Sequence, residues 1–376
     1  MIIRNLIALV ALALLAVFWL GRTQPSPTSS EEPYVNVYVW YGMIDEEIIH
    51  QFEKETGIKV RQDFFDNNNI VEAKLLSGHS GYDVVFPSAS PYMKVQIEAG
   101  VYQPLDHSQL SNWESVDPLL LEEMRTVDPQ NLFGVPYYWG TLGFVYVEEE
   151  ILKRMPDAPV TSYRLLFDPD VVSRFSSCGV TLLEEAVDVY PQLLTFLGRD
   201  HDSSDEDDLE IAQEHLLKIR PFIQRFSSSR FVGDLIEGQT CLSQAWSGEV
   251  HAAQQRADEA GKNIRIVYVI PKEGSGLWID AIGMPSDAPH PHNAHKFIDF
   301  LLRPEISALV SKHTKLGIAN RHMGPHLDKE LANNTTIYPS PEVMKKLHLD
   351  HPQTQNYERT RTRLWAQMRF ANTPNT

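Results

Sequence analysis

The chain has 376 residues, enough for two domains of ordinary size. Its 43% hydrophobic and 22% charged residues exclude wholesale disorder, and 20 Gly with 24 Pro exclude collagen-like and low-complexity classes. Lys plus Arg number 33 against 50 Asp plus Glu; the net charge of −17 repels phosphate backbones, disfavours nucleic acid as a partner and suits cationic ligands.

Residues 1–5 carry one cation, Arg4, and residues 6–20 (LIALVALALLAVFWL) are an unbroken apolar run. We read 1–22 as a secretory signal peptide. An uncleaved N-terminal anchor is the alternative, because no small-x-small cleavage pattern follows, although the run is short of the roughly 20 residues a span needs. Residues 23–33 (TQPSPTSSEEP) form a polar linker, and folding is expected to begin near Tyr34. The reading places the protein in the periplasm. Of the two cysteines, Cys178 and Cys241, export favours a disulfide over a pair of buried thiols.

Residues 34–40 are β-rich. Asp45 then N-caps a helix carrying Ile48, Ile49 and Phe52 on one face, and Gly57 stops it. Strands are predicted over 58–64 and 82–87, and helices over 70–77 and 93–99. This β-α-β-α-β order calls for a parallel sheet with right-handed crossovers, whose ligands bind beyond the carboxyl ends of the strands. Trp40 and Ser88 lie there. Further on, helices are predicted over 187–197, 209–226, 295–302 and 304–313, and strands over 264–270 and 281–284.

Residues 200–208 (DHDSSDEDD) lack the Gly of a calcium loop and read as a solvated loop running into an acidic first helical turn. His290, His292 and His295 (HPHNAH) read as an irregular surface loop and not as a metal site. No P-loop, GxGxxG, GxSxG or HExxH occurs, and residues 78–81 (GHSG) have the wrong spacing for a nucleophile elbow. Catalytic signatures are thus absent, the enzyme reading is weak, and no cofactor or metal is expected.

Three segments pair aromatic rings with acids. Trp246 stands three residues before Glu249, Trp278 two before Asp280, and Glu185 and Asp188 lie one turn apart at a helix start. Indole faces attract cations and carboxylates accept ammonium protons, so such a set suits an organic amine. Taken singly, each Trp is better read as core packing and each acid as solvated surface.

The chain resembles the periplasmic polyamine-binding proteins of ABC importers, the putrescine and spermidine receptors, from about residue 34 to 368. The resemblance rests on FEKETGIKV (52–60), GYDVVFPSAS (81–90), AGVYQPLD (99–106), SCGV (177–180), IPKEG (270–274), LLRPE (301–305) and RTRLW (361–365). It implies an α/β, two-lobed periplasmic-binding-protein fold, each lobe a mixed, mostly parallel sheet flanked by helices, with a hinge between. Lobe one is expected at 34–138 plus 279–322, and lobe two at 139–278 plus 323–376. By resemblance the ligand-binding residues are Trp40, Tyr41, Ser88, Glu185, Asp188, Trp246, Glu249, Trp278 and Asp280, and Cys178 and Cys241 match a disulfide of the putrescine-type branch. After the first-strand Trp the family shows Ser or Thr, an acid and Tyr; this chain has Tyr41, Gly42 and Met43, and Leu316 stands where a binding Tyr aligns. One carboxylate and two aromatic walls are thus replaced. The implied function is capture of a polyamine, by a monomer, for delivery to an ABC permease. The alternative is a sensor docking on a membrane receptor, and a periplasmic enzyme ranks last.

Overall fold

The computed structural model describes residues 31–351 and 353–371, apart from the side chains of residues 249, 251 and 252. The signal-peptide or anchor region and most of the linker lie outside the described residues. Among those described, no helix is long and apolar enough to cross a membrane.

Eleven strands build one sheet: β1 Tyr34–Trp40, β2 Lys59–Phe65, β3 Val84–Val85, β4 Gly134–Val147, β5 Val180–Leu182, β6 Arg225–Phe226, β7 Leu242–Trp246, β8 Ile266–Val269, β9 Ser275–Gly283, β10 Gly317–Ile318 and β11 Leu347–Leu349. The order is β2-β1-β3-β9-β4-β7-β5-β6, with β8 and β10 also on β4 and β11 on β9. β1 runs parallel to β2 and β3 at one end, and β5 parallel to β6 and β7 at the other. Between them the long strands β4 and β9 are antiparallel, from Gly134 opposite Gly283 to Leu142 opposite Gly276.

Local chemistry explains the first elements. The Asp45 side chain accepts from the Glu47 amide and starts the helix Glu46–Thr56, which buries Ile48, Ile49 and Phe52; Gly57 ends it at φ 74°, a conformation that costs glycine no Cβ clash. Asn67 caps the next helix, Asn68–Leu76, in the same way. Asp205 caps Glu206–Ile219, whose first turn holds the expected acids. That helix stops well before 226, because Pro221 can neither donate a backbone hydrogen bond nor clear the preceding turn; Arg225 and Phe226 instead pair with β5. The expected strand 82–87 shrinks to Val84–Val85. The Asp83 carboxylate takes the Asn36 and His290 amides, and Pro87 has none to give.

The HPHNAH segment is not an irregular surface loop. Pro291 occupies the first position of the helix Pro291–Leu301, where its fixed φ is favourable. His290 and His295 are buried; His290 Nδ1 lies 3.1 Å from Asp83, and His295 Nε2 accepts from the Asp106 amide at 2.9 Å.

Apolar side chains form two sets of clusters that share β4. Val135, Tyr137, Tyr138 and Trp139 pack with β1–β3 and residues 277–323, whereas Leu142, Phe144, Val145, Tyr146 and Val147 pack with residues 151–268. One strand thus passes from the core of one α/β half into the core of the other. The tail departs from the expected split. Met323, Leu327, Tyr338, Leu347 and Leu349 pack with the first half, and only the closing helix Gln355–Phe370 packs with the second, through Tyr357, Leu364, Trp365 and Met368. A disulfide joins Cys178 and Cys241. It lies just before β5 and β7, whose parallel register sets Val180 opposite Leu242. Closing that 63-residue separation is worth about 4 kcal/mol in the chain-entropy description.

Candidate functional site

Trp40 closes β1 and Ser88 follows β3, at the carboxyl ends of parallel strands. A bridge sets Ser88 beside Asp280 of β9. The Ser88 hydroxyl donates to Asp280 Oδ1 at 2.7 Å and accepts from the Asn68 side-chain amide at 2.9 Å. Burial pushes the Asp280 carboxyl up to about 7, offset in part by the Ser88 hydrogen bond; no cation among the described residues acts on it. A buried carboxylate without a cation is costly, so this group is poised to take one.

Two residues back along β9, Trp278 stands opposite Gly140 of β4. The approach is close enough to require glycine: a methyl group at 140 would lie 2.4 Å from Trp278 Cζ2 and 2.5 Å from Ser247 Oγ. Ser247 Oγ in turn accepts from the Thr141 amide at 3.1 Å. A methyl at Gly248 would meet Leu316 at 2.4 Å and Trp278 at 3.8 Å. The helix Ser247–Glu259 therefore starts against Trp278 and against Leu316 of the first apolar set. The Trp40 and Trp278 indole N–H groups are both buried without a protein acceptor. Gly140→Ala is expected to cost about 1–3 kcal/mol in urea unfolding through overpacking. Gly233→Ala, which meets nothing within 4 Å, serves as the neutral control. Equal stability of the two variants would show that Trp278 is not held by this contact.

A second acidic pole lies at the helix Ala186–Phe196. Glu185 precedes it in extended conformation and caps nothing with its side chain; Asp188 sits in its first turn. Asp188 is also pushed up to about 7, first by burial and then by the Glu185 charge; the indole N–H of Trp246 and the positive charge of Arg361 pull the other way. The two acids belong to different halves: Asp280 lies on β9 with the first apolar set, and Asp188 on the helix Ala186–Phe196 with the second.

Of the residues singled out in the sequence, the structure joins Ser88 with Asp280, Glu185 and Asp188 with Trp246, and Trp278 with the start of the Trp246–Glu249 segment. Trp40 packs on Phe65 with ring centroids 4.5 Å apart. Glu249 is the third residue of its helix, and its side chain lies outside the described residues. Tyr41 stands apart from the cluster: its ring is 81% exposed and meets Phe64 edge-on. Gly42, at φ 74°, turns the chain just after it. The Met43 backbone carbonyl accepts from the Tyr138 hydroxyl at 2.9 Å. Sequence reasoning missed Tyr92, whose phenol is raised by burial and by Glu185, Glu72 and Asp188. Its spacing of one helical turn from Ser88 was the available signal. Asn68, which positions Ser88, was also missed.

Such a molecule, with two α/β halves sharing a pair of long strands and with carboxylates gathered near indoles, is a solute-binding protein. The chain belongs to the family of bacterial extracellular solute-binding proteins, whose profile matches residues 47–338. That is a family of binding proteins and not of enzymes, in line with the sequence reading. The chain is 38% identical over 363 residues to the putrescine-binding periplasmic protein PotF of Escherichia coli (strain K12), covering 96% of each. It is 37% identical over 357 residues to the putrescine-binding periplasmic protein SpuD of Pseudomonas aeruginosa (strain UCBPP-PA14), covering 95% of this chain and 97% of that one. Among solved structures, the spermidine/putrescine ABC transporter substrate-binding protein PotD of Streptococcus pneumoniae superposes with TM-score 0.79 at 26% identity, over 90% of this chain and 98% of that one.

Proposed function

We propose that this protein captures a linear polyamine of the putrescine–spermidine class between its two halves in the periplasm and delivers it to the membrane permease of an ABC importer. The observation that carries the reading is a pair of raised carboxyls, one in each half: Asp280, buried on the strand that carries Trp278, and Asp188, half-buried beside Trp246. Two ammonium ends of one flexible chain would neutralise both poles, and the methylenes between would stack on Trp278 and Trp246. Trp40, Ser88, Glu185 and Glu249 complete the ligand set in this reading. Tyr92 joins it, and Tyr41 does not. The relatives named above, which bind putrescine or belong to ABC transport, support both the ligand class and the permease partner. The binding halves are taken as about 34–139 plus 277–349 and about 142–276 plus 355–370, following the apolar clusters.

With Gly42, Met43 and Leu316 in place of an acid and two tyrosines, the first half offers fewer anchors for the ammonium it receives. Putrescine should therefore bind less tightly than a longer polyamine such as spermidine. Calorimetry of the mature protein against putrescine, spermidine and agmatine, with glutamate as the anionic control, tests the proposal. One amine per chain and no glutamate heat are expected. No amine binding at all would overturn the function; tighter binding of putrescine than of spermidine would overturn the assigned preference.

A further inference from the structure

We propose that His201, His348 and Asp350 form a binding site for a divalent metal ion of the zinc class that shares no residue with the amine-binding set. One ligand atom from each of the three lies within 4.8 Å of the other two. His348 and Asp350 sit two residues apart along and just after β11, so an extended backbone turns both side chains to the same face. Leu347 and Leu349 point the opposite way, into the apolar cluster. His201 comes from the loop after the helix Ala186–Phe196, and its ring stacks on that of His348 with centroids 3.4 Å apart.

Three features separate this group from an ordinary polar cluster. First, His348 Nε2 and Asp350 Oδ1 are both buried and neither has a hydrogen-bond partner. They face each other at 3.8 Å, too far for a hydrogen bond but a span that an ion held about 2.0–2.2 Å from each can bridge. Second, the Lys346 carbonyl favours a proton on the His348 ring. Nε2 has no partner of its own, so the ring can carry that proton on Nδ1 and keep the Nε2 lone pair for the side of the carboxylate. Two acceptors in opposition repel unless a cation lies between them, and a backbone-anchored imidazole is the usual support of a metal ligand. Third, the loop carrying His201 is fastened in place. The Asp202 carboxylate accepts from the His351 amide at 3.1 Å and from the Gln353 side-chain amide at 2.8 Å, clamping the loop to the segment that follows Asp350.

The donor set selects the metal class. Two imidazoles and one carboxylate, with a fourth position left for water, suit Zn²⁺ and its borderline neighbours; Ca²⁺ and Mg²⁺ prefer oxygen-only sites. Such an ion would pin the β11 crossover to the second half of the molecule.

The test uses the mature protein, freed of metal by chelator and titrated calorimetrically with zinc chloride. We expect one Zn²⁺ per chain in the micromolar range, and His201→Gln and Asp350→Asn each weakening it by at least about tenfold. Co²⁺ substitution should give visible bands of a nitrogen-bearing site, lost in both variants. His292→Gln, in the other histidine-rich segment, should bind zinc like the parent. His201→Gln alters a loop residue and so remains informative if Asp350→Asn fails to fold. No zinc uptake in the micromolar range, or uptake that both variants leave unchanged, overturns the site.

Discussion

Asp280→Asn will weaken polyamine binding by about 30-fold or more and will at the same time leave the ligand-free protein as stable as the parent or more so. The two effects share one cause. An ammonium brought to this position loses water and needs a full negative charge in return; truncating one partner of a buried charged pair costs about 2–5 kcal/mol. Asparagine keeps the shape and can still accept from the Ser88 hydroxyl, so the change removes charge and little else. In the absence of ligand that charge is a burden, which is why burial drives the carboxyl up to about 7. Calorimetry reads the first effect and urea unfolding of the ligand-free protein the second. Parent-like affinity would move the ammonium site away from Asp280. Lost affinity together with lost stability would mean that the variant misfolds.

The second large effect is on pH. Both Asp280 and Asp188 stand near 7 in the ligand-free protein, raised from an ordinary 3.8. An ammonium partner stabilises the charged form and lowers both. Affinity is therefore complete above pH 7, and below it each carboxyl must first release a proton. Each then costs up to about tenfold per pH unit, so affinity at pH 6 should approach a hundredfold below that at pH 8. Ligand-free stability runs the other way. Between about 4 and 7 the folded protein holds protons that the unfolded chain does not, so these two groups make it more stable as pH falls through 7. Calorimetry from pH 8 to 6, in buffers of differing ionisation enthalpy, measures the affinity and counts the protons released. A flat profile would show that neither carboxyl meets the ammonium.

The sequence by itself determined much of this protein. The alternation in residues 34–40, the Asp45 cap, the Gly57 stop and the acidic turn after Asp205 all act within a few residues of where they are written, so they could be read there. The aromatic–acid spacings at Trp246 and Trp278, and the cysteine pair, were legible for the same reason. Only the tertiary structure decided which of these groups meet. Ser88 and Asp280 are 192 residues apart and are brought together by the pairing of β3 with β9. Trp278 reaches the helix after Trp246 because β4 carries glycine at 140, and no local pattern marks that glycine as an opening. Tyr41, placed in the site by resemblance, is exposed and meets Phe64, while Tyr92 enters the field of Glu185 and Asp188. His290 and His295 looked like surface residues until packing gave their polar atoms buried partners, Asp83 and the Asp106 amide. Caps and periodicity are settled by forces within one turn or one strand. Burial, and with it the raised Asp280 carboxyl, is settled by the register of strands distant in the chain.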